Sequence, residues 1–191
     1  MPLWGAASSH RVTDARWPGH SVLVVPAPAL EHWVRARTAH YDTAYVSSDP
    51  RFAHAHLTLL GPFVAPADLT PGLRAQVAGV LHGHASFTAR LETVAVFADG
   101  TIHLRPDDEE PFRRLTADLA AAFPDQPPYG GAFEGVRPHL TLDRVGPGVD
   151  VERVRAWVAP LLPATVEVTE ARLSWYEQGR CHEVARWPLG G

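Results

Sequence analysis

The chain contains no lysine, only one cysteine and no long apolar run. Each of these features excludes certain classes of protein or kinds of site. One cysteine, Cys181, cannot form an intrachain disulfide framework or a zinc site built from several cysteines. No apolar run approaches the roughly 18 residues that a membrane-spanning helix needs, so we expect no membrane partner. The first residues lack a basic start followed by an apolar stretch, which argues against a signal peptide and predicts a cytoplasmic protein.

The balance of charges limits the kind of partner. All 17 basic residues are arginines, they are scattered along the chain, and 21 acidic residues outnumber them. Such a chain is not expected to carry an extended nucleic-acid groove, which needs clustered positive charge. Arginine nevertheless suits a local phosphate contact, because its planar guanidinium matches phosphate oxygens. We therefore expect an anionic partner to be small and to bind at one local site.

Length and composition predict one folded unit. The chain has 191 residues, of which 46% are apolar and 20% charged, as in ordinary globular domains. Residues 1–19 are predicted to form a flexible leader, and residues 20–191 a single domain with two lobes. No flexible Gly/Ser linker separates the two halves, so they are expected to pack as one body.

Strand and helix signals alternate along the chain in an order that predicts an α+β fold. The order is strand, helix, strand, helix, strand pair, helix, strand, helix and strand pair. Asp99-Gly100 indicates the first hairpin, and a run from Thr165 to Trp175 followed by one from His182 to Trp187 predicts the second. Hairpins combined with helices favour largely antiparallel sheets.

One tetrapeptide, HLTL, occurs twice, at residues 56–59 and at residues 139–142. Both copies lie in predicted strands, where successive side chains point to opposite faces. In each copy the histidine and the threonine therefore share one face, about 7 Å apart, while the two leucines share the other and can anchor in the core. Two such strands facing each other would present four polar side chains around one small cleft: His56, Thr58, His139 and Thr141.

This set of residues suits cleavage of a phosphodiester. The reaction needs a base to deprotonate the nucleophile and an acid to protonate the leaving oxygen. Two imidazoles can share this work, because histidine titrates near neutral pH. The threonine hydroxyls can donate hydrogen bonds to the non-bridging phosphate oxygens. The scheme requires no metal ion, and we expect no cofactor.

At these two motifs the chain resembles the 2H phosphoesterase superfamily, which is defined by two H-x-[ST]-hydrophobic motifs, and within it the bacterial 2′-5′ RNA ligase and cyclic phosphodiesterase group. The similarity runs from about Ser21 to Trp187 and includes LLGPF at 59–63 and PPYGGAFEGVRPHLTL at 127–142. The resemblance implies a bilobal α+β fold with two pseudo-symmetric lobes, in which mainly antiparallel sheets flanked by helices surround a central cleft.

The resemblance also implies an activity, namely metal-independent cleavage of a 2′,3′-cyclic phosphate or a 2′-5′ phosphodiester of RNA or a nucleotide. It makes His56 and His139 the acid–base pair, and Thr58 and Thr141 the residues that hold the phosphate. For hydrolysis we expect His139 to activate water and His56 to protonate the leaving oxygen, and the reverse reaction swaps these roles. The expected substrate is a small nucleotide or an RNA end, bound by a monomer.

Four further residues are candidates for substrate binding. His54 and Arg137 each precede a motif histidine by two residues, so a continuous strand would turn both toward the cleft, where Arg137 would contact phosphate. The loop from Tyr129 to Phe133 contains two glycines and would close over a substrate, with either aromatic ring stacking on a base. One departure from the family pattern is Gly61, where close relatives are expected to carry a base-stacking aromatic residue.

Two other functions are compatible with the sequence. The first is a metal-dependent phosphoesterase, because the H-x-H at His54 and His56 could ligate zinc together with His139 and Asp143. The second is a non-catalytic nucleotide- or RNA-binding module of the same fold. A module that only binds would not need all four polar motif residues, and all four are present.

Overall fold

The computed structural model describes residues 18–128 and 137–190. Residues 1–17 of the predicted leader therefore lie outside the described residues. The described part contains the strands β1 His20–Pro26, β2 His56–Leu60, β3 Phe87–Val96, β4 Thr101–Pro106, β5 Leu140–Arg144, β6 Ala164–Val168, β7 Glu170–Tyr176 and β8 His182–Pro188. Its α-helices are α1 Glu31–Tyr41, α2 Pro71–His82, α3 Glu110–Ala122 and α4 Val151–Val158. None of these helices has the length and apolar character that crossing a lipid bilayer requires.

All eight strands belong to one sheet, in the order β6-β3-β4-β5-β2-β1-β7-β8. Its centre is the antiparallel pairing of β2 with β5, the two strands that carry the repeated tetrapeptide, and there Leu57 lies opposite Leu140. From this centre the sheet extends through β1, β7 and β8 on one side, and through β4, β3 and β6 on the other. The predicted α+β fold, with two pseudo-symmetric halves and antiparallel pairing, is confirmed.

The same order of strands and helices also occurs twice along the chain. The order β1-α1-β2-α2-β3 is followed by β4-α3-β5-α4-β6, so each motif strand stands between two helices. The helix starts are set by local capping: the Thr70 hydroxyl accepts from the amide of Leu73 at 3.2 Å, and the Asp150 carboxylate accepts from the amide of Arg153 at 2.8 Å. Each cap satisfies a backbone amide that has no partner within its helix.

The last predicted strand pair differs from the sequence expectation. The run from Thr165 to Trp175 is not one strand, because the chain leaves the sheet at Thr169 and re-enters it on the other side of the centre. β6 pairs with β3 in one half, whereas β7 pairs with β1 and β8 in the other half. The alternation of burial changes phase at the crossing, where the polar residues Thr169 and Glu170 follow each other. This break is the only sign of the crossing in that stretch of sequence, and the prediction of one strand passed over it.

The crossing at Thr169 shows that the sheet curls strongly. One residue advances the chain by only about 3.8 Å, yet β6 lies at one edge of the sheet and β7 lies next to the opposite edge. The two edges must therefore approach each other. A bridge between Ala85, before β3, and Gly190, after β8, joins the same two halves.

Helix α1 ties the motif strand β5 into the fold through a buried carboxylate. Asp143 is fully buried and forms an ion pair with Arg37 of α1 at 2.7 Å. The Tyr41 hydroxyl, one turn further along α1, donates a hydrogen bond to the same carboxylate at 2.6 Å. The Arg37 guanidinium also lies over the rings of Tyr41 and Trp157, which shields the ion pair from water.

The ion pair predicts a large effect of a single substitution on stability. Arg37→Met leaves the buried Asp143 carboxylate without its cation, and we expect the free energy of unfolding to fall by about 3 kcal/mol. Urea denaturation at pH 7 measures this change. The matched control is Arg35→Met, which removes an exposed arginine from the same helix and should change stability by less than about 0.5 kcal/mol. Equal effects of the two substitutions would contradict the role given to the ion pair.

Candidate active site

The two copies of the tetrapeptide lie side by side at the centre of the sheet. All four of their leucines are buried in the hydrophobic core, as predicted, while the histidines and threonines are half-buried on the other face. Because Leu57 opposes Leu140, an antiparallel register that continues from this pair brings His56 beside Thr141 and Thr58 beside His139. We call this set of four polar residues the motif face.

Both motif histidines are held in the same way by the backbone. The Nδ1 atom of His56 lies 2.9 Å from the carbonyl oxygen of His54, and that of His139 lies 2.8 Å from the carbonyl oxygen of Arg137. A carbonyl oxygen can only accept, so Nδ1 carries the proton in each ring. The nitrogen that exchanges a proton with a ligand is therefore Nε2 in both.

Burial keeps both imidazoles neutral at neutral pH. The pKa of His56 is lowered to about 4, chiefly by burial and in smaller part by the nearby His139, while the backbone around His54 and the charge of Glu31 oppose the shift. Burial also lowers the pKa of His139, against the carbonyl of Arg137 and the charge of Asp99. Both rings are thus ready to accept a proton, and an anionic ligand would favour their protonated forms by charge attraction.

Aromatic side chains that the sequence pattern does not single out surround the motif face. The Tyr176 hydroxyl of β7 lies 3.4 Å from both ring nitrogens of His56, and the Tyr176 ring stacks on His20 at 5.5 Å. On the other side Phe97 meets the ring of His139 edge-on at 4.9 Å. The strand order, which joins β7 to β1, was needed to find Tyr176, since nothing in the sequence near Tyr176 marks it.

A third histidine, His103 of β4, belongs to the same group of rings. It lies opposite Thr141 in the sheet, stacks on Phe97 at 3.8 Å and lies 5.4 Å from the ring of His139. Burial lowers its pKa to about 4, and the charges of His139, Arg105 and Arg137 add to this shift. A hairpin residue of this kind is expected at the surface, but β4 is an inner strand and His103 is 2% exposed.

His54 does not join the motif face, in contrast to the sequence expectation. Its ring is buried, with Nδ1 donating to Glu31 Oε1 at 2.6 Å and Nε2 accepting from the amide of Ser47 at 3.1 Å. The alternation of faces fails here because β2 begins only at His56, so His54 lies in a bend before the strand. Both ring nitrogens are engaged within the protein, which leaves none for a substrate.

Of the other predicted substrate-binding residues, the structure describes Arg137 but not the two aromatic residues of the loop before it. Arg137 is exposed just before β5, and its backbone carbonyl accepts from Nδ1 of His139. Its contact with phosphate stays a prediction. Tyr129 and Phe133 lie outside the described residues.

Gly61 is closely packed against the neighbouring strand. A Cβ atom built on Gly61 would lie 2.9 Å from a methyl carbon of Val22 on the neighbouring strand β1, closer than such contacts occur in proteins. A side chain at this position would therefore require the Val22 side chain to move. A base-stacking ring at position 61 would meet this contact.

The zinc ligands considered from the sequence are not arranged around one point. His54 is bound by Glu31 and Ser47, and Asp143 is paired with Arg37. Within residues 18–128 and 137–190, no group of three or more His, Cys, Asp or Glu side chains is placed to hold a metal ion. The predicted set of four zinc ligands is thus not brought together.

A family profile matches the sequence, and solved structures share the fold. The 2′-5′ RNA ligase superfamily profile matches residues 24–180. E. coli LigT in complex with 3′-AMP is 20% identical, with a TM-score of 0.55, over 92% of this chain and 100% of that one. TT0787 of Thermus thermophilus is 21% identical, with a TM-score of 0.61, over 90% of this chain and 98% of that one. E. coli LigT is also known in complex with NADP+, at 20% identity and a TM-score of 0.51, over 91% of this chain and 99% of that one. No curated protein matches the chain.

The matched profile places the chain in the class of 2H phosphoesterases, and its curled antiparallel sheet with helices agrees with the fold of the solved structures. The chain belongs to the 2′-5′ RNA ligase superfamily within that class, and the predicted resemblance is confirmed. Family and fold together support an enzyme of the LigT type.

The buried state of His103 predicts a loss of stability in acid. Its pKa is lowered from 6.5 to about 4, so between these values the unfolded chain binds a proton that the folded protein does not. The free energy of unfolding should therefore fall by about 2–3 kcal/mol from pH 7 to pH 4 because of this residue.

Denaturation by urea at several pH values tests this expectation. His103→Phe keeps a ring against Phe97 but cannot take up a proton, so its stability should fall less between pH 7 and pH 4 than that of the wild type. His32→Gln, at an exposed position of α1, is the control and should behave as the wild type does. A parallel fall in His103→Phe and the wild type would show that His103 is not the group responsible.

Proposed function

We propose that the protein is a metal-independent phosphodiesterase that cleaves a 2′,3′-cyclic phosphate or a 2′-5′ phosphodiester of RNA or a nucleotide. The observation that carries this proposal is the motif face, where two His-x-Thr strands pair at the centre of the sheet and both imidazoles are fixed through Nδ1. One phosphate placed on this face would meet an imidazole from each strand. Membership of the 2′-5′ RNA ligase superfamily supports the same reaction class.

The proposed hydrolysis of a 2′,3′-cyclic phosphate needs one neutral and one protonated imidazole. His139 removes a proton from the attacking water as a new P–O bond forms. His56 donates a proton to the ribose oxygen as its bond to phosphorus breaks, which leaves a phosphomonoester and a free hydroxyl. In the reverse direction His56 deprotonates the ribose hydroxyl, which bonds to phosphorus, while His139 protonates the oxygen that leaves as water.

His56 has to take up its proton when the substrate binds. Burial lowers the pKa of His56 to about 4, so the free protein at pH 7 carries this ring in its neutral form. A phosphodiester brings one negative charge next to the ring, and this charge favours the imidazolium by direct attraction in a poorly hydrated site. Substrate binding and uptake of one proton are therefore coupled in the proposed mechanism.

The threonines and Arg137 supply the contacts to phosphate. With the register continued from Leu57 and Leu140, Thr58 and Thr141 fall beside the histidine of the opposite motif, so their hydroxyls can donate to the two non-bridging oxygens while the imidazoles act on the bridging ones. Arg137, exposed just before β5 with its carbonyl on the ring of His139, adds a positive charge near the motif face. We infer that these three side chains orient the phosphate and that the histidines carry out the proton transfers.

A small nucleotide is the proposed substrate. E. coli LigT has been solved with 3′-AMP and with NADP+, both small nucleotides, and those complexes support the same class of ligand for this chain. The excess of acidic over basic residues favours such a ligand over a long nucleic acid.

Removal of either imidazole should abolish most of the activity. We expect His56→Ala and His139→Ala each to lower the turnover of a 2′,3′-cyclic nucleotide by roughly 10²–10⁴-fold, the usual scale for a lost acid or base. Phosphomonoester release is measured in the presence of EDTA, so that only metal-independent turnover is counted. His40→Ala, at an exposed position of α1, should keep wild-type turnover.

The outcomes of this assay are distinct. Normal turnover in one histidine variant removes that histidine from the mechanism. Wild-type protein that binds the nucleotide without turning it over would favour the binding-module alternative.

The threonine hydroxyl is tested by an isosteric change. Thr58→Val keeps the shape of the side chain but removes a hydrogen-bond donor, and we expect a loss of roughly 10-fold to 100-fold in kcat/KM, or about 1.5–3 kcal/mol for a hydrogen bond to a charged group. Thr88→Val, on the exposed surface of β3, is the control. Unchanged kcat/KM in Thr58→Val would reject the assigned phosphate contact.

A further inference from the structure

A carboxylate from α1 holds the segment that immediately precedes the motif strand β2. Glu31 uses both of its oxygens: Oε1 accepts from Nδ1 of His54 at 2.6 Å, and Oε2 accepts from the backbone amide of Ala55 at 2.8 Å. Burial alone would raise the pKa of Glu31, but these hydrogen bonds outweigh it and lower the pKa below its usual value. Glu31 is therefore a carboxylate at neutral pH.

The ring of His54 is fixed on its other side as well. Its Nε2 accepts from the amide of Ser47 at 3.1 Å, and the ring packs edge-on against Phe52 at 5.0 Å. Ser47 is in turn held by its hydroxyl, which donates to the carbonyl of Cys181 at 2.6 Å. The side chain of His54 thus has one defined position, and the Ala55 amide beside it is also held.

This fixed segment ends in the carbonyl group that orients a motif histidine. The carbonyl oxygen of His54 accepts from Nδ1 of His56 at 2.9 Å, and this bond decides which ring nitrogen of His56 carries the proton. Glu31 binds the groups on both sides of that carbonyl, namely the His54 ring and the Ala55 amide. A shift of the segment would move the carbonyl away from the imidazole.

Among the described residues, Glu31 is a carboxylate whose charge favours protonation of His56. The charge of Glu31 raises the pKa of His56, whereas burial and the charge of His139 on β5 lower it. The Tyr176 hydroxyl of β7 also lies against the ring, at 3.4 Å, and its own pKa is raised well above its usual value by burial, so it is uncharged. Glu31 therefore acts on His56 through the backbone and through its charge.

We propose that Glu31 is a positioning residue for His56, which it serves by holding the His54 carbonyl that selects the ring tautomer. This proposal deepens the proposed phosphodiesterase function. Only the expected effect on kcat depends on that function. Glu31 reaches no substrate itself and acts through His54 and the backbone. Its role parallels that of the carbonyl or carboxylate partners that orient histidines in other catalytic and metal sites.

The test replaces the carboxylate by its uncharged isostere. In Glu31→Gln we expect the pKa of His56 to fall and the population of its Nδ1–H tautomer to decrease, both read from the ring resonances of His56 in an NMR titration. With a 2′,3′-cyclic nucleotide, we expect kcat to fall roughly 10-fold to 100-fold while KM changes little, as for other partners of catalytic side chains.

Two further variants serve as matched comparisons. His54→Asn keeps a nitrogen donor near the position of Nδ1, so it should retain the contact with Glu31 and leave the pKa and tautomer of His56 close to those of the wild type. It also provides the measurement if Glu31→Gln does not fold: a changed pKa or tautomer of His56 in folded His54→Asn contradicts the proposal. Glu152→Gln, on the exposed side of α4, should change neither quantity.

The NMR readout separates this proposal from the proposed function. A folded Glu31→Gln with an unchanged pKa and tautomer of His56 overturns the positioning role, whatever the activity. A shifted pKa and tautomer in a protein that turns over no phosphodiester supports the positioning role and rejects the proposed function instead.

Discussion

The pairing of β2 with β5 is the contact on which the site depends. Each copy of the motif, residues 56–59 in β2 and residues 139–142 at the start of β5, supplies one histidine and one threonine, and the proposed acid–base pair needs one histidine from each copy. Because the strands are antiparallel neighbours with Leu57 opposite Leu140, the core leucines lock the register that brings the four polar side chains together. A slip of one residue would exchange the leucines and the polar side chains between the two faces of the sheet.

Burial also determines the charge of the histidine rings at the motif face. Two imidazoles and a third histidine ring lie in an environment that lowers the pKa of all three, so these rings are uncharged before a ligand arrives. With net charge -4, the chain as a whole does not attract an anion from a distance. Recognition in the proposed mechanism therefore depends on short-range hydrogen bonds, on the local charge of Arg137 and on the proton that His56 takes up when the phosphate binds.

The sequence predicted the parts of the protein that follow from local pattern. The repeated HLTL string, the alternation of strands and the turn at Asp99-Gly100 depend on neighbouring residues, and the fold and the leucine core agree with them. The prediction for His54 fails because it extends the alternation of faces beyond the first residue of β2. Tyr176 and Glu31 could not be predicted, since they reach the site from β7 and α1 through contacts between elements that are distant in the chain. A long-range contact of this kind leaves no periodic signal in the sequence.

Because the chain crosses at Thr169, the strands of the two halves become available at different points of translation. The half that contains β3, β4, β5 and β6 is built from one continuous stretch and has all its strands once residue 168 has left the ribosome. The other half combines β1 and β2 from the beginning of the chain with β7 and β8 from its end. During translation the outer side of β1 therefore stays unpaired until β7 has been made, and this strand edge is open to mispairing in the nascent chain.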